Sequence, residues 1–259
     1  VSTLPSSYGE RIVLRLLDKA DSSLDLKELG MTESLLGNYQ TELKNNSGII
    51  LVTGPTGSGK TTTLYSGLNF LNDQTRNILT VEDPIEYAIE GVGQTQVNNR
   101  VGLTFEKGLR AILRQDPDVV MVGEIRDKET ADIAIQASLT GHLVLSTVHT
   151  NDSVGAITRL IDMGVEPYLI ASSLRMVIAQ RLVRKIDPTS QELSGRIGIF
   201  ESILINDDIK EQIHNKGSES EIKNIAFKDN NTLELDGKEK VNLGLTSEDE
   251  LRRVLQEKN

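Results

Sequence analysis

The stretch GIILVTGPTGSGKTTTLYSGLNFLN, Gly48 to Asn72, decides the fold of this chain. Its centre, Gly54 to Thr61, satisfies the spacing G-x-x-x-x-G-K-[ST]. The apolar run Ile49–Val52 before it predicts a buried strand, and the residues from Thr61 onward predict a helix. The order of strand, glycine turn and helix favours a phosphate-binding loop over a glycine-rich surface turn.

A phosphate loop needs glycines because several backbone N–H groups must point at one anion. The helix that follows adds the positive end of its dipole. In such a loop Lys60 would reach the β- and γ-phosphates and the Thr61 hydroxyl would be a ligand of Mg²⁺. The expected nucleotide-binding residues are Gly54, Thr56, Gly57, Ser58, Gly59, Lys60, Thr61 and Thr62.

The composition and charge of the chain argue against several classes of function and structure. The net charge of the 259-residue chain is -10, which counts against nucleic acid as the substrate. The absence of cysteine excludes disulfides and cysteine-ligated zinc and fits a reducing cytoplasm. No apolar run approaches the ~20 residues of a membrane span, so we expect a soluble protein with at most peripheral membrane contact. Because the first residue is Val1, we expect a fragment.

Three predicted strands end in polar residues that could meet the phosphate loop. Asn77–Val81 is followed by the acidic turn EDPIEY, Val119–Val122 by Gly123 and Glu124, and Leu143–Thr147 by His149. Open α/β sheets bind ligands outside the carboxyl ends of their strands. We therefore expect these side chains to surround the phosphates.

The remaining segments predict three regions: part of an N-terminal domain and linker (1–46), an ATPase-type core (47–205) and a helical C-terminal region (206–259). The pattern predicts strands over Gly9–Asp18 and Arg196–Leu204, and a loop over Asp229–Asn242. It predicts helices over Thr32–Lys44, Thr104–Gln115, Lys128–Leu139, Asp152–Asp162, Pro167–Lys185 and Ile209–Asn215, and one opened by Ser247 and Glu250.

Four separated strings, GPTGSGKTT, VEDPIEY, RQDPDVVMVGEIRD and GHLVLSTVHTN, resemble the Walker A, Asp box, Walker B and His box of the secretion-superfamily motor ATPases. The segment VSTLPSSYGERIVLRLLDK resembles the type II secretion and type IV pilus assembly branch, and EDPIEY and GVGQTQVN are most similar to its type II secretion members. The resemblance covers residues 1 to 206 and implies a RecA-like P-loop core.

The resemblance also implies roles for individual residues. Glu86 would be the general base that orients the attacking water, Glu124 the Walker B glutamate near the metal, and His149 a sensor of the γ-phosphate. Arg15 would approach the nucleotide from the N-terminal domain. Other arginines at positions typical of the family are Arg11, Arg110, Arg114, Arg126 and Arg159.

The resemblance also implies a cofactor, an assembly and partners. The protein would use ATP with Mg²⁺ and would form a homo-hexamer that powers pseudopilus assembly. Its partners would belong to the inner-membrane secretion platform, at the cytoplasmic face of the membrane. Type II members usually carry a four-cysteine zinc module after a segment like QRLVRK. Here that segment runs into DPTSQELSGRIGIFE, so we expect no zinc. The alternatives are a type IV pilus assembly ATPase, a nucleic-acid motor of the RecA-like kind, and a non-catalytic nucleotide switch.

Overall fold

The computed structural model describes residues 2–14, 25–190, 192–228 and 232–256, which form a mixed α/β fold. The strands are β1 (Ser2–Ser6), β2 (Gly9–Val13), β3 (Gly48–Thr53), β4 (Ile78–Glu82), β5 (Gly93–Gln96), β6 (Val119–Val122), β7 (Leu143–Val148), β8 (Leu174–Ile186) and β9 (Leu193–Leu204). The helices are α1 (Glu33–Leu43), α2 (Lys60–Leu71), α3 (Phe105–Ile112), α4 (Lys128–Leu139), α5 (Ser153–Asp162), α6 (Pro167–Ser173), α7 (Asp207–His214), α8 (Glu219–Ala226), α9 (Leu233–Asn242) and α10 (Glu248–Gln256).

The central sheet has seven strands in the order β5-β4-β6-β7-β3-β8-β9. Every neighbouring pair in it is parallel except β8 and β9, which are antiparallel. The strand before the glycine loop, β3, therefore lies between β7 and β8. The expected RecA-like α/β core is confirmed, with a parallel sheet whose strand ends gather at one edge.

Helices cover both faces of the sheet, which explains why its strands are continuous apolar runs. Along β3 the side chains alternate, so that Ile49 and Leu51 join one buried cluster and Ile50 and Val52 join the other. The first cluster includes apolar residues of α4, α5 and α6, and the second includes those of α1 and α2. A change of one residue in register would exchange the two faces, so this alternation holds the glycine loop in place.

The helix predicted over Pro167–Lys185 is wrong beyond Ser173. Only α6 is helical there, and the residues from Leu174 form β8 between β3 and β9. Val177, Ile178 and Leu182 lie in the part that was predicted to be helical, because a short apolar run buried on both faces shows no period that separates strand from helix. The β-branched residues of this run favour the strand once neighbours are available to pair with it.

The loop predicted over Asp229–Asn242 is also wrong, because α9 spans Leu233–Asn242. The sequence does not indicate this helix, because Gly237 interrupts the segment and few of its residues are apolar. Gly237 packs against α10: a Cβ placed there would lie 2.2 Å from Leu251 Cδ1. Together α9 and α10 cover the β8–β9 hairpin with a small third cluster of buried residues, namely Ala179, Val183, Ile199, Leu233, Leu251 and Val254.

Other predicted elements are confirmed with small changes at their ends. The helix over Lys128–Leu139 matches α4, and α1 and α3 begin after Thr32 and Thr104, whose side chains accept N-cap hydrogen bonds. The strand predicted over Gly9–Asp18 is confirmed over Gly9–Val13 as β2, and its residues from Arg15 onward lie outside the described residues. The three predicted regions stay predictions. In the described ranges, no helix combines the length and the apolar character that a membrane crossing requires.

Candidate active site

The glycine loop lies at the carboxyl edge of the parallel strands. The loops that follow β3, β4, β6 and β7 all leave the sheet at this edge, because parallel strands end together. They carry Lys60, Glu86, Glu124 and His149 respectively. The strand β8 also runs in this direction beside β3, so its middle residues pass directly behind the loop.

The loop itself needs glycine at its turns. Gly54, Gly57 and Gly59 have φ angles of 147°, 79° and 89°, which L-residues with a side chain rarely adopt. A Cβ on Gly54 would lie 2.4 Å from the carbonyl oxygen of Gln180. The loop is thus packed against the backbone of β8. Thr56 and Gly57 are exposed at its tip, whereas Thr61 and Thr62 are half-buried in the first turn of α2.

The Lys60 side chain lies along the inside of this loop. Its ammonium group donates hydrogen bonds to the carbonyl oxygens of Gly54 at 2.9 Å and Pro55 at 3.0 Å. Burial lowers the pKa of Lys60, and the charge of Arg181 lowers it further, while the carboxylate of Glu124 opposes both. Lys60 and Glu124 are therefore close enough to interact electrostatically across the loop.

The backbone around Glu124 is held by both neighbouring strands. The Gly123 N–H donates to the carbonyl oxygen of Val81 at 2.8 Å, and the Thr147 hydroxyl donates to the Gly123 carbonyl at 2.7 Å. On the other side the Ile125 N–H donates to the Thr147 carbonyl at 2.9 Å. Only 12% of the Glu124 side chain is exposed, so its carboxylate is held at a fixed position near the loop.

His149 completes this group from the end of β7. Its Nε2 lies 3.5 Å from Glu124 Oε2, and the opposite oxygen of Glu124 forms an ion pair with Arg126. Partial burial and the charge of Lys60 lower the pKa of His149, against the attraction of Glu124. The imidazole is therefore neutral at neutral pH and can accept or donate one hydrogen bond. The backbone after His149 is fixed because the Thr150 N–H donates to the Thr53 hydroxyl at 2.9 Å.

Glu86 stands apart from this group. It is half-buried in the loop after β4, and its backbone N–H donates to the hydroxyl of Tyr65 on α2 at 3.4 Å. Within the described chain, its carboxylate forms no hydrogen bond or ion pair with Lys60, Glu124 or His149. The structure thus brings Lys60, Glu124 and His149 together, and it places Glu86 on the same edge of the sheet, facing the helix that carries Lys60.

Most of the other predicted arginines lie on the surface. Arg126 contacts the candidate site through Glu124, whereas Arg110 pairs with Glu106 on its own helix at 3.2 Å. Arg11, Arg114 and Arg159 are exposed. Nothing in the described residues brings these three or Arg110 to the glycine loop, so any role for them stays a prediction.

Two residues beside the glycine loop, Gln180 and Arg181, were not predicted as site residues, because β8 was predicted to be a helix. The Thr63 hydroxyl of α2 donates to Gln180 Oε1 at 2.6 Å. Arg181 is 8% exposed, and its guanidinium donates to the Asn151 carbonyl at 2.7 Å, in the loop that carries His149. The string IAQRL gives no sign of them, because it has no period that separates a strand from a helix.

The sequence profile of one family, described as Type II/IV secretion system protein, matches residues 1–253. The chain belongs to this family. Among its relatives, the Type II secretion system protein E of Pseudomonas aeruginosa is 52% identical and the Type II secretion system ATPase E of Vibrio cholerae is 53% identical, each over 292 aligned positions. Both alignments include 99% of this chain and 58% of the relative, so the chain spans just over half of their length.

The fold of this secretion-family chain is shared by a solved structure described as the pilus retraction motor PilT with bound ADP. The two superpose with a TM-score of 0.77 at 29% identity, over 97% of this chain and 72% of PilT. The 292 aligned positions of the sequence relatives exceed the 259 residues here, so those relatives contain residues without a counterpart in this chain. We predict that they fall between β8 and β9, where a short turn follows Ile186.

Proposed function

We propose that this chain is the ATP-hydrolysing part of a type II secretion motor. The observation that carries the proposal is the convergence of Lys60, Glu124 and His149 on one glycine loop. A protein that only bound nucleotide would need the loop but would not need the carboxylate and the imidazole beside it. The 53% identity to a type II secretion ATPase supports the same conclusion.

The loop residues fit a triphosphate. The glycine φ angles allow backbone N–H groups to converge on an anion, and α2 directs its N-terminus at the same place. The Ser58 hydroxyl is buried without a hydrogen-bond partner, although buried polar groups are normally satisfied. A phosphate oxygen is a suitable acceptor for it. For Mg²⁺, the hydroxyl of Thr61 and the carboxylate of Glu124 are the oxygen donors that the cation prefers.

In this proposal each residue has one task. Lys60 exchanges its carbonyl partners for phosphate oxygens, and the loop N–H groups hold the β-phosphate. Glu86 accepts a proton from water and orients it toward the γ-phosphate, while neutral His149 donates a hydrogen bond there. Thr61 and Glu124 would hold Mg²⁺, which would help to neutralise the charge that develops on the phosphates. To reach Mg²⁺, the carboxylate of Glu124 would break its ion pair with Arg126.

We further propose that the motor works as a hexameric ring at the cytoplasmic face of the inner membrane, where it drives pseudopilus assembly through a membrane platform. Arg15 would approach the nucleotide when the N-terminal domain closes, since an arginine that meets the growing charge accelerates such reactions by about 10³ to 10⁵. Pilus assembly is the second candidate, because the chain shares its fold with a pilus motor. A nucleic-acid motor is disfavoured by the net charge of -10.

The test compares Glu86→Gln with Lys60→Ala in the purified chain. We expect Glu86→Gln to bind ATP as the wild type does and to lose multiple-turnover phosphate release, because the amide cannot accept the proton from water. Lys60→Ala should weaken ATP binding itself, since it removes the cation that faces the phosphates. Binding is measured by calorimetry with ATP and Mg²⁺, and turnover by release of inorganic phosphate.

A matched control comes from the same loop. Glu90 is an exposed carboxylate four residues after Glu86, so Glu90→Gln makes the same chemical change away from the site. It should keep the wild-type rate. Turnover at the wild-type rate in Glu86→Gln would show that the base is misassigned, and stimulation of turnover by DNA would favour the nucleic-acid motor instead.

A further inference from the structure

Glu82, at the end of β4, is a buried carboxylate that the proposed reaction does not use. Only 3% of the residue is exposed, yet it meets three side-chain donors. Thr80 and Gln94 donate to Glu82 Oε1 at 2.5 Å and 3.1 Å, and the hydroxyl of Tyr65 donates to Oε2. A carboxylate with three donors is held rigidly, and its removal would leave those donors without this acceptor.

The Tyr65 hydroxyl joins this cluster to the loop that carries Glu86. It donates to Glu82, and it lies 3.4 Å from the backbone N of Glu86, whose N–H it accepts. The ring of the next residue, Tyr87, packs edge-to-face on the Tyr65 ring, with the centroids 4.8 Å apart. Burial and the contact with Glu82 raise the pKa of Tyr65 well above its ordinary range, so the phenol keeps its proton.

Gln94 holds the far side of the same loop. Its amide group donates to the Tyr87 carbonyl at 3.2 Å, and its Oε1 accepts the Ile89 N–H at 2.8 Å. Glu86, Tyr87 and Ile89 are therefore tied, through Tyr65 or Gln94, to the single carboxylate of Glu82. The loop is fixed by a polar network rather than by regular secondary structure.

Tyr65 lies on α2, the helix whose first residues are Lys60 and Thr61. The five residue steps from Lys60 to Tyr65 span about 7.5 Å of helix. Because one rigid helix carries both the phosphate loop and the hydroxyl that contacts Glu86, the distance between the phosphates and the base depends on Tyr65 and Glu82. A shift of about 1 Å at a reacting group can cost about 100-fold in rate.

We propose that Tyr65 and Glu82 are positioning residues that set the place of the Glu86 loop relative to the phosphate loop. This inference rests on the proposed function, in which Glu86 is the base. Neither residue touches the water or the phosphates. Their effect should fall on turnover and not on nucleotide affinity, because Lys60 and the loop N–H groups keep their places when the phenol hydroxyl is removed.

The experiment compares Tyr65→Phe with Tyr39→Phe. Both tyrosines are fully buried in the same cluster. Tyr65 lies on α2, whereas Tyr39 contacts α2 through its hydroxyl, which donates to the Thr63 carbonyl at 3.3 Å and forms no bond with the Glu86 loop. We expect kcat to fall about 10-fold to 100-fold in Tyr65→Phe, with the ATP dissociation constant unchanged. Tyr39→Phe should keep kcat. Glu82→Gln, which places an amide against the Gln94 amide, should lower kcat in the same way.

Three outcomes decide the matter. If Tyr65→Phe turns over ATP as fast as Tyr39→Phe while Glu86→Gln is inactive, the positioning role is refuted and the base assignment stands. If Tyr65→Phe loses ATP affinity and kcat together, the hydroxyl supports the phosphate loop instead, and the inference is again wrong. If Tyr65→Phe adds no further loss in the Glu86→Gln background, Tyr65 acts through Glu86, as proposed.

Discussion

Replacement of Glu250 by glutamine tests how the C-terminal helices are held on the β8–β9 hairpin. The Glu250 carboxylate is almost fully buried at the start of α10, with 4% of the side chain exposed. It accepts hydrogen bonds from Arg184 Nη2 at 2.5 Å, from the Arg184 backbone N at 3.2 Å and from Arg253 Nη2 at 2.9 Å. This one carboxylate thus joins α10 to the C-terminal end of β8.

The size of the effect follows from these contacts. Hydrogen bonds to charged groups contribute about 1.5–3 kcal/mol each. However, 53% of the Arg184 side chain and 46% of the Arg253 side chain are exposed, so water screens both and compensates part of the loss. Since glutamine keeps one acceptor oxygen but loses the charge, we expect Glu250→Gln to lower the free energy of unfolding by about 2 kcal/mol at pH 7.

The pH dependence gives the sharper test. The hydrogen bonds from Arg184 and Arg253 lower the pKa of Glu250 far below its ordinary value of 4.5. A carboxylate with a depressed pKa in the folded state stabilises the protein fully above its unfolded pKa, and the contribution is lost as the pH falls toward the folded pKa. The difference in stability between wild type and Glu250→Gln should therefore be constant near neutrality and shrink below about pH 4.5.

The assay is urea denaturation at pH 7 and at pH 3.5, with Glu248→Gln as the matched control. Glu248 lies on the same helix and pairs with Arg252 at 3.2 Å, but both side chains are about half exposed or more. Its loss should cost less than about 0.5 kcal/mol. Equal losses in the two variants, or a Glu250→Gln loss that is as large at pH 3.5 as at pH 7, would refute the anchoring role.

Two further substitutions test the close backbone approaches. Gly54→Ala should lower the free energy of unfolding by more than Gly57→Ala, because both positions have positive φ but only the Gly54 Cβ would meet a backbone atom, 2.4 Å away; thermal denaturation without nucleotide measures both, and equal losses would contradict the contact. Gly237→Ala should destabilise by about 1–3 kcal/mol despite the better helix propensity of alanine, because the new Cβ would overlap buried Leu251. A more stable Gly237→Ala would show that Leu251 moves aside freely.

The parts of the fold that could be predicted are those whose pattern is local. The glycine loop can be recognised because its residues are consecutive in the sequence. N-cap residues such as Thr32 and Thr104 mark the positions at which their helices begin. Glu124 and His149 were predicted to meet because each follows an apolar run, and parallel strands end at one edge. Their contact at 3.5 Å agrees with that argument.

The parts that could not be predicted depend on neighbours distant in sequence. Whether Leu174–Ile186 forms a strand is decided by pairing with β3 and β9, which begin 126 residues before and 19 residues after Leu174. Gln180 and Arg181 were therefore missed. Glu82 was predicted to belong to the acidic turn after the strand, because its burial depends on Tyr65 and Gln94, which no local pattern links to it. The roles of the site residues stay predictions until they are tested.

The long strand β8 contacts the glycine loop and α2 on one part of its length and the helix α10 on another. Gln180 contacts the glycine loop and α2. Four residues later, the side chain of Arg184 donates a hydrogen bond to α10. A chain shortened just after β9 would lose the four helices α7 to α10, and Val183 on β8 and Ile199 on β9 would then face water. The residues after β9 should therefore be kept in any shortened version that is meant to bind nucleotide.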